Sequence, residues 1–447
     1  MEIEIQILGK ERVKPLLSSS TPKPPHQYQL SFLDQIAPPV LMPLVYFYPP
    51  TPTAVPDGQK SADKFDRLKK SLSEALSIFY PLAGRLVDDK YVDCTDDQGV
   101  PFVEAQANCD LSHLVTNLIP ANMNKLLPYA LDDVQNLGMA MAAQVTNLQC
   151  GGMAVAVMVS HKIADAVSFL RFANTWAALS SRSKGQGRSL PCDDVANMPR
   201  PKFQAAELFP PRDVAGFNAG VGIVRGEDQQ LVAKVFTFPR DRISALRDRY
   251  SSSGSSGGGV PTRVEALSAL IWTRFVSATG MKHDPTKIYT VVYAVNLRNR
   301  TEPPLSEDHF GNISRIAMAM PRVEDGGAEL LKKVGEAIRG VNGDYVAMLQ
   351  EGERHLDLMK ERMTQAYSGE LVAFSFTSLC RFPLYDADFG WGKPVRVASA
   401  PWIYRNLVVF MDTPAGDGGV EAWINLTKED MDKFEADSEL RDFISCT

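Results

Sequence analysis

The amino-acid sequence predicts an α/β protein of two similar-sized domains, each a mixed sheet flanked by helices, joined by a long crossover linker. Three observations point there. The chain has 447 residues, too many for a single core at about 100–200 residues per domain. Apolar β-prone runs alternate with segments of helical period in both halves. Residues 180–215, rich in Ser, Gly and Pro, break that alternation near the midpoint without a sustained period. The expected division is an N-terminal domain over 1–180, a linker over 181–215 and a C-terminal domain over 216–447.

In the first half, Ala62–Phe79 carries apolar residues at helical spacing and stops before Pro81, the pattern of an amphipathic helix. Met139–Leu148 and Met153–Val159 are β-prone, and the intervening Cys150-Gly151-Gly152 predicts a hairpin. From Asp165 onward the period is again helical. In the second half Thr262–Ser277 and Ala328–Arg339 read as helices and Ile288–Val295 as a buried strand. Asn406–Met411 and Val420–Leu426 read as a hairpin around TPAGDGG, and the Ser/Gly run at 251–261 as a loop tip.

Composition narrows the function classes. Apolar residues make up 45% and charged residues 22%, which argues for a packed globular chain over disorder. A net charge of −6 supplies no global basic field for nucleic acid or an anionic membrane. A phosphate-bearing ligand would therefore need a local Lys/Arg cluster. The N-terminal MEIEIQILGKERVKP interleaves charges where a signal peptide is apolar, and no apolar run reaches the ~18 residues of a membrane span. A cytosolic protein with neither nucleic-acid nor membrane partner is expected. The six cysteines (Cys94, Cys109, Cys150, Cys192, Cys380 and Cys446) lack CxxC spacing, which fits reduced thiols and no metal site. Neither GxxxxGK[ST] nor GxGxxG occurs, so ATP and nicotinamide binding have no support.

His161 stands between the apolar run AVAVMVS and the helical segment that begins at Asp165. A strand-to-helix junction holds a side chain firmly while leaving it open to a cleft. Asp165 falls at the helix N-terminus, where unpaired backbone N–H groups favour a carboxylate. On spacing alone two readings stand. His161 is a general base, or it is a buried, satisfied histidine beside a capping aspartate.

The motifs taken together separate them. SHKIADAVSFL around His161, YPLAGRL (Tyr80–Leu86), VNLRNRTEPPL (Val295–Leu305) with FGN (Phe310–Asn312), and DFGWGKP (Asp388–Pro394) resemble the plant BAHD acyl-CoA-dependent acyltransferases, over nearly the whole chain and in the family's order. SHKIAD and FSFTS (Phe374–Ser378) further resemble the branch rich in alkaloid and alcohol O-acetyltransferases. The resemblance implies two chloramphenicol-acetyltransferase-like domains, with a channel between them that CoA and acceptor enter from opposite faces. It implies acyl-CoA, acetyl-CoA above all, as co-substrate without a prosthetic group. The acceptor it implies is a small-molecule alcohol or amine of specialised metabolism, and the protein is expected to be a monomer. His161 becomes the general base for direct attack in a ternary complex.

The resemblance also assigns residues. Asp165 points away from the reaction centre and pairs with an arginine, with Arg298 favoured over Arg300. Thr377 is the oxyanion donor. DFGWG shapes the fold and the CoA site, so loss of Asp388 should inactivate and Trp391 lies on the CoA side. Ser31 of LSFLDQ and Tyr46, with Tyr48, line the acceptor side. Leu379 stands where the family often has Trp and Ala166 where Gly is common, departures that bear on acceptor contacts. For the CoA phosphates, Thr262 and Arg263 offer a helix N-terminus and a charge, against the plainer reading of a capped helix with a solvated arginine. Three alternatives stay open: acylation of an amine, a catalytically silent ligand-binding homologue, and a peptide-synthetase condensation domain, in which Ser160 would replace a second histidine.

Overall fold

The computed structural model describes residues 3–16, 25–50, 57–95, 99–116, 118–131, 138–182, 200–217, 230–252 and 260–445, with backbone only at 57–62, 353–354 and 367. Of the expected linker, 183–199 lie outside the described residues, as do 253–259 of the Ser/Gly tip, Cys192 and Cys446.

The strands in chain order are β1 (Ile5–Val13), β2 (Gln27–Gln29), β3 (Leu41–Tyr48), β4 (Arg85–Val87), β5 (Tyr91–Asp93), β6 (Val100–Ala107), β7 (Met141–Asn147), β8 (Met153–Ser160), β9 (Leu231–Phe238), β10 (Ile288–Asn296), β11 (Ser314–Ala319), β12 (Leu371–Ser378), β13 (Arg396–Ala398), β14 (Leu407–Asp412) and β15 (Val420–Thr427). They form two six-stranded sheets, β1-β6-β7-β8-β3-β13 and β11-β10-β12-β14-β15-β9, and a small sheet β2-β5-β4. Both large sheets mix parallel and antiparallel pairs. The two-domain α/β class expected from the alternating pattern is the class observed.

The chain divides into two compact units. One comprises Met1–Asp213, Leu305–Ile313 and Phe382–Ala400, and the other Val214–Pro304, Ser314–Arg381 and Pro401–Thr447. Sequence order had put the FGN and DFGWG blocks in the C-terminal domain, but both group with the first unit. The physical reason is pairing at a sheet edge. β13 runs antiparallel to β3, matching Val397 with Tyr46, and carries the DFGWG segment with it.

β8 lies between β7 and β3, and all of MAVAVMVS is buried, as expected for a strand covered on both faces. The predicted hairpin pairs Met141 with Val159 and Asn147 with Met153. Helix Ala166–Arg182 follows and packs on helix Asp57–Ile78. Its Phe172 and Trp176 are fully buried, each worth about 1.5–3 kcal/mol of apolar transfer. The Trp176 indole N–H is shared between the Leu68 carbonyl and the Ser71 hydroxyl, both at 3.2 Å, so burying the ring leaves no orphan donor. In the second unit, helix Arg263–Thr279 ends on Gly280 in the left-handed region, and helix Gly327–Gly340 confirms the second predicted helix. Among the described residues no helix is long and apolar enough to cross a membrane.

Tyr46 and Tyr48 share one face of β3 and are both fully buried, but their hydroxyls differ. The Tyr48 hydroxyl donates to the Ala387 carbonyl at 2.6 Å, whereas that of Tyr46 has no hydrogen-bond partner among the described residues. Removing a paired buried hydroxyl orphans its acceptor, and removing an unpaired one orphans nothing. Chemical denaturation should therefore show Tyr48→Phe losing about 1–3 kcal/mol and Tyr46→Phe unchanged or slightly more stable. Equal losses would contradict this assignment.

Candidate active site

β8 delivers His161 at its C-terminal end, and the His161 backbone N–H donates to the Val40 carbonyl at 2.8 Å. The side chain is half-buried. Its Nδ1 lies 3.0 Å from Oδ1 of Asn312. Asn312 Nδ2 donates to the His161 carbonyl at 2.7 Å and to Asp34 Oδ1 at 2.8 Å. Both amide hydrogens are thus spent on oxygens, and Oδ1 can only accept. Nδ1 of His161 therefore carries the proton, and Nε2 holds the free lone pair. Burial pushes this imidazole below its ordinary pKa, while the Asp165 charge and the Asn312 bond recover part of the fall. A neutral imidazole at neutral pH, with Nε2 unprotonated, is what a general base requires.

Asp165 is the N-cap of helix Ala166–Arg182, and Ala166 is its first residue. Asp165 Oδ1 accepts from the Ser168 N–H at 2.9 Å and Oδ2 from the Ile313 N–H at 3.1 Å. Ser168 Oγ donates to the Gly311 carbonyl at 3.0 Å and accepts from the Gly311 N–H at 3.1 Å. Gly311 has φ of +131°, and a Cβ there would sit 2.8 Å from Ala205 Cβ, so only glycine lets the FGN segment pass. An Arg171–Asp308 ion pair and reciprocal backbone bonds between Lys202 and the 308–310 stretch hold it from the other side.

Asp34 is fully buried. Its Oδ2 accepts from the Ser31 N–H at 2.9 Å and the Ser31 hydroxyl at 2.6 Å, and its Oδ1 accepts from the Asn312 N–H and Nδ2, both at 2.8 Å. Burial nevertheless lifts its pKa from 3.8 to about 6. Two residues expected on the acceptor side, Ser31 and Tyr46, are fully buried. Ser31 is fully buried as the cap of helix Phe32–Gln35 with its hydroxyl committed to Asp34, and Tyr46 is packed inside the sheet. A pocket of about 230 Å³ does open beside the end of β8, lined by Val40, Leu41, Asp89, Ser160 and Lys162 among others.

Asp388 contacts backbone. Its Oδ1 accepts from the N–H groups of Gly390 at 2.7 Å and Gly392 at 2.9 Å, whose φ values near +100° exclude a side chain. Phe389 is fully buried against Trp176, with centroids 5.0 Å apart, and Ser180 Oγ donates to its carbonyl at 3.0 Å. Trp391 meets the edge of Tyr48 and carries the Arg67 guanidinium 4.7 Å from its ring centroid.

In the second unit, Thr262 caps its helix. Thr262 Oγ1 accepts from the Glu265 N–H at 3.2 Å, and Glu265 Oε2 from the Thr262 N–H at 2.8 Å. Arg263 is ion-paired rather than solvated, donating to Asp412 at 2.8 Å and to the Gly418 carbonyl at 2.9 Å. Arg298 is buried in a 3₁₀ turn, where its backbone N–H donates to Asn296 Oδ1 at 3.0 Å. Arg300 is committed to the carbonyls of Ile338 and Val341 at a helix end. Thr377 lies in β12 opposite Val409, and the Leu379 N–H donates to the Phe410 carbonyl at 2.8 Å. Among the described residues no group of His, Cys, Asp or Glu could hold a metal ion.

Asn312 and Asp34 are the site residues that motif reading did not assign. Ser31-Phe-Leu-Asp34 carries a legible capping-box signal, but nothing local points the other carboxylate oxygen at a residue 278 positions away.

The model of the transferase family matches residues 3–441. Limonoid 1-O-acetyltransferase of Citrus sinensis is 35% identical over 450 residues, covering 99% of this chain and 99% of that protein. Stemmadenine O-acetyltransferase of Catharanthus roseus is 33% identical, with 98% of this chain and 97% of that protein covered. The crystal structure of vinorine synthase superposes with a TM-score of 0.79 at 32% identity, covering 99% of each chain.

Asp34 makes stability depend on pH in an unusual sense. Because its folded pKa is raised, the folded chain holds that proton more tightly than the unfolded chain between pH 4 and 6, and stability falls as pH rises through this window. The stability of the wild type minus that of Asp34→Asn, from denaturation curves, should drop by on the order of 3 kcal/mol from pH 4 to pH 7. A flat difference would mean an ordinary carboxyl pKa.

Proposed function

The chain belongs to the transferase family, the BAHD acyltransferases, and is an acyl-CoA-dependent O-acyltransferase; from that premise we propose that it moves an acetyl group from acetyl-CoA to a hydroxyl of a hydrophobic plant specialised metabolite. The limonoid and stemmadenine O-acetyltransferases support the acetyl donor and the acceptor class by their activities. The observation that carries the mechanism is the contact of His161 Nδ1 with Asn312 Oδ1, which leaves Nε2 to take the acceptor's proton.

Nε2 takes the acceptor's hydroxyl proton as the oxygen attacks the thioester carbonyl, forming a tetrahedral oxyanion. Collapse of that intermediate breaks the C–S bond, and the imidazolium returns the proton to the departing CoA sulfur, leaving ester and free thiol. One imidazole serves both transfers, and no acyl-enzyme forms. Thr377 is the proposed oxyanion donor, a role worth about 2.7–4 kcal/mol of barrier in comparable sites. Asp165 and Asp388 act as positioning residues, through the helix cap and the glycine turn respectively. Thr262 and Arg263 are assigned to the CoA phosphates as a helix N-terminus and its charge, and Trp391 to CoA and Leu379 to the acceptor side on the family resemblance. A cytosolic protein is supported by the free thiols of Cys94, Cys109, Cys150 and Cys380, and the monomer is taken from the family resemblance.

Following free thiol release from acetyl-CoA across a panel of hydrophobic alcohols tests the reaction. His161→Ala should fold, bind CoA and lose about 10²–10⁴-fold in kcat. Retained turnover would overturn the assignment of the base. Because burial lowers the His161 pKa, the acid limb of kcat/KM should lie below pH 6.5. A limb above that value would contradict the buried neutral imidazole.

A further inference from the structure

We infer that Asp34 decides which nitrogen of His161 is the base by locking the side-chain amide of Asn312. This rests on the reading of His161 as the base and adds a positioning residue to it.

The contact between Asn312 and His161 is ambiguous taken alone. An amide turned by 180° would present its NH₂ to Nδ1, and the imidazole would answer by moving its proton to Nε2. That tautomer has no lone pair where the acceptor's proton must go. The choice between the two is made by third parties. One is the His161 carbonyl, 2.7 Å from Asn312 Nδ2, and the other is Asp34 Oδ1 at 2.8 Å. Flipping the amide would set its oxygen against both, with lone pairs facing at hydrogen-bond distance, in a site from which water is excluded.

Asp34 is suited to this because four donors converge on it. Ser31 N–H and Ser31 O–H address one oxygen, and Asn312 N–H and Asn312 Nδ2–H address the other. An ionised carboxylate has about four acceptor positions and satisfies all four donors. An asparagine of the same shape satisfies the donors at only one of its two ends. Keeping a charge in a fully buried position is costly, as the upward displacement of its pKa records, and a residue needed only to cap helix Phe32–Gln35 has no use for the second oxygen.

The direct readout is ¹⁵N NMR of the labelled imidazole at pH 8, which distinguishes a protonated from an unprotonated ring nitrogen without any turnover. The wild type should show Nδ1 protonated and Nε2 bare. Asp34→Asn, and Asp34→Ala, in which water can reach the freed donors, should lose that single tautomer. In both, kcat should fall by at least ~10-fold at unchanged KM for acetyl-CoA. Ser31→Ala removes cap bonds to Asp34 while leaving its grip on Asn312, so it should cost stability and keep the wild-type tautomer. Loss of the tautomer in Ser31→Ala to the same degree would reduce Asp34 to a structural cap and overturn the inference. So would a wild type protonated on Nε2, or an Asp34 variant that keeps both tautomer and kcat. Retained turnover in His161→Ala would instead strike the assignment of the base and leave the tautomer result standing.

Discussion

The first unit is organised around one buried carboxylate and the amide it holds. Asp34 takes hydrogen bonds from a short helix cap on one side and from Asn312 on the other, and Asn312 reaches across to His161 by backbone and ring. Three stretches of chain that are remote in sequence, around 31–40, 160–168 and 310–313, are joined through these contacts. Neutral groups could have filled the space. Only an acceptor with two oxygens can satisfy donors arriving from both sides, and the elevated pKa of Asp34 measures the cost of excluding water from it.

Around this centre, Asp165 has a bracing role. Both of its oxygens accept backbone N–H groups, one from the helix it caps and one from the residue after Asn312. The Nδ1 position that a charge-relay partner would occupy belongs to the neutral amide of Asn312. A neutral partner has an electrostatic consequence. Its bond and the more distant Asp165 charge raise the basicity of the imidazole by less than burial lowers it, so the ring stays unprotonated at neutral pH. The reciprocal bonds between Ser168 and Gly311 complete the brace.

The DFGWG turn follows the same logic at a second place. Asp388 satisfies two backbone donors that a left-handed glycine turn leaves unpaired, and the aromatic rings on either side fill the space between β3 and helix Ala166–Arg182. Tyr48, Phe389, Trp391 and Trp176 meet at centroid separations of 5.0 to 5.9 Å, mostly edge to face, the arrangement that ring quadrupoles favour. Loss of Asp388 would therefore loosen the packing behind the helix that carries Asp165. An aspartate can matter to activity in this way while contacting only its own turn.

Local order was legible in the residues themselves. Periodicity marked the β7–β8 hairpin, the helix after Asp165 and the β14–β15 pair, because side-chain spacing of 2 or 3.6 is a property of neighbouring residues. Motif combination marked His161 and the transferase family for the same reason, since the signals lie within short windows. Tertiary structure alone decided the rest. It drew Phe382–Ala400 into the first unit by pairing β13 with β3, committed Asp34 to Asn312 and Arg263 to Asp412, and put Asn312, not Asp165, against the imidazole ring. Each of these outcomes is a hydrogen bond or ion pair between residues far apart in the chain. A donor's sequence neighbours say what it can bond, and only the folded path says which acceptor arrives within 3 Å.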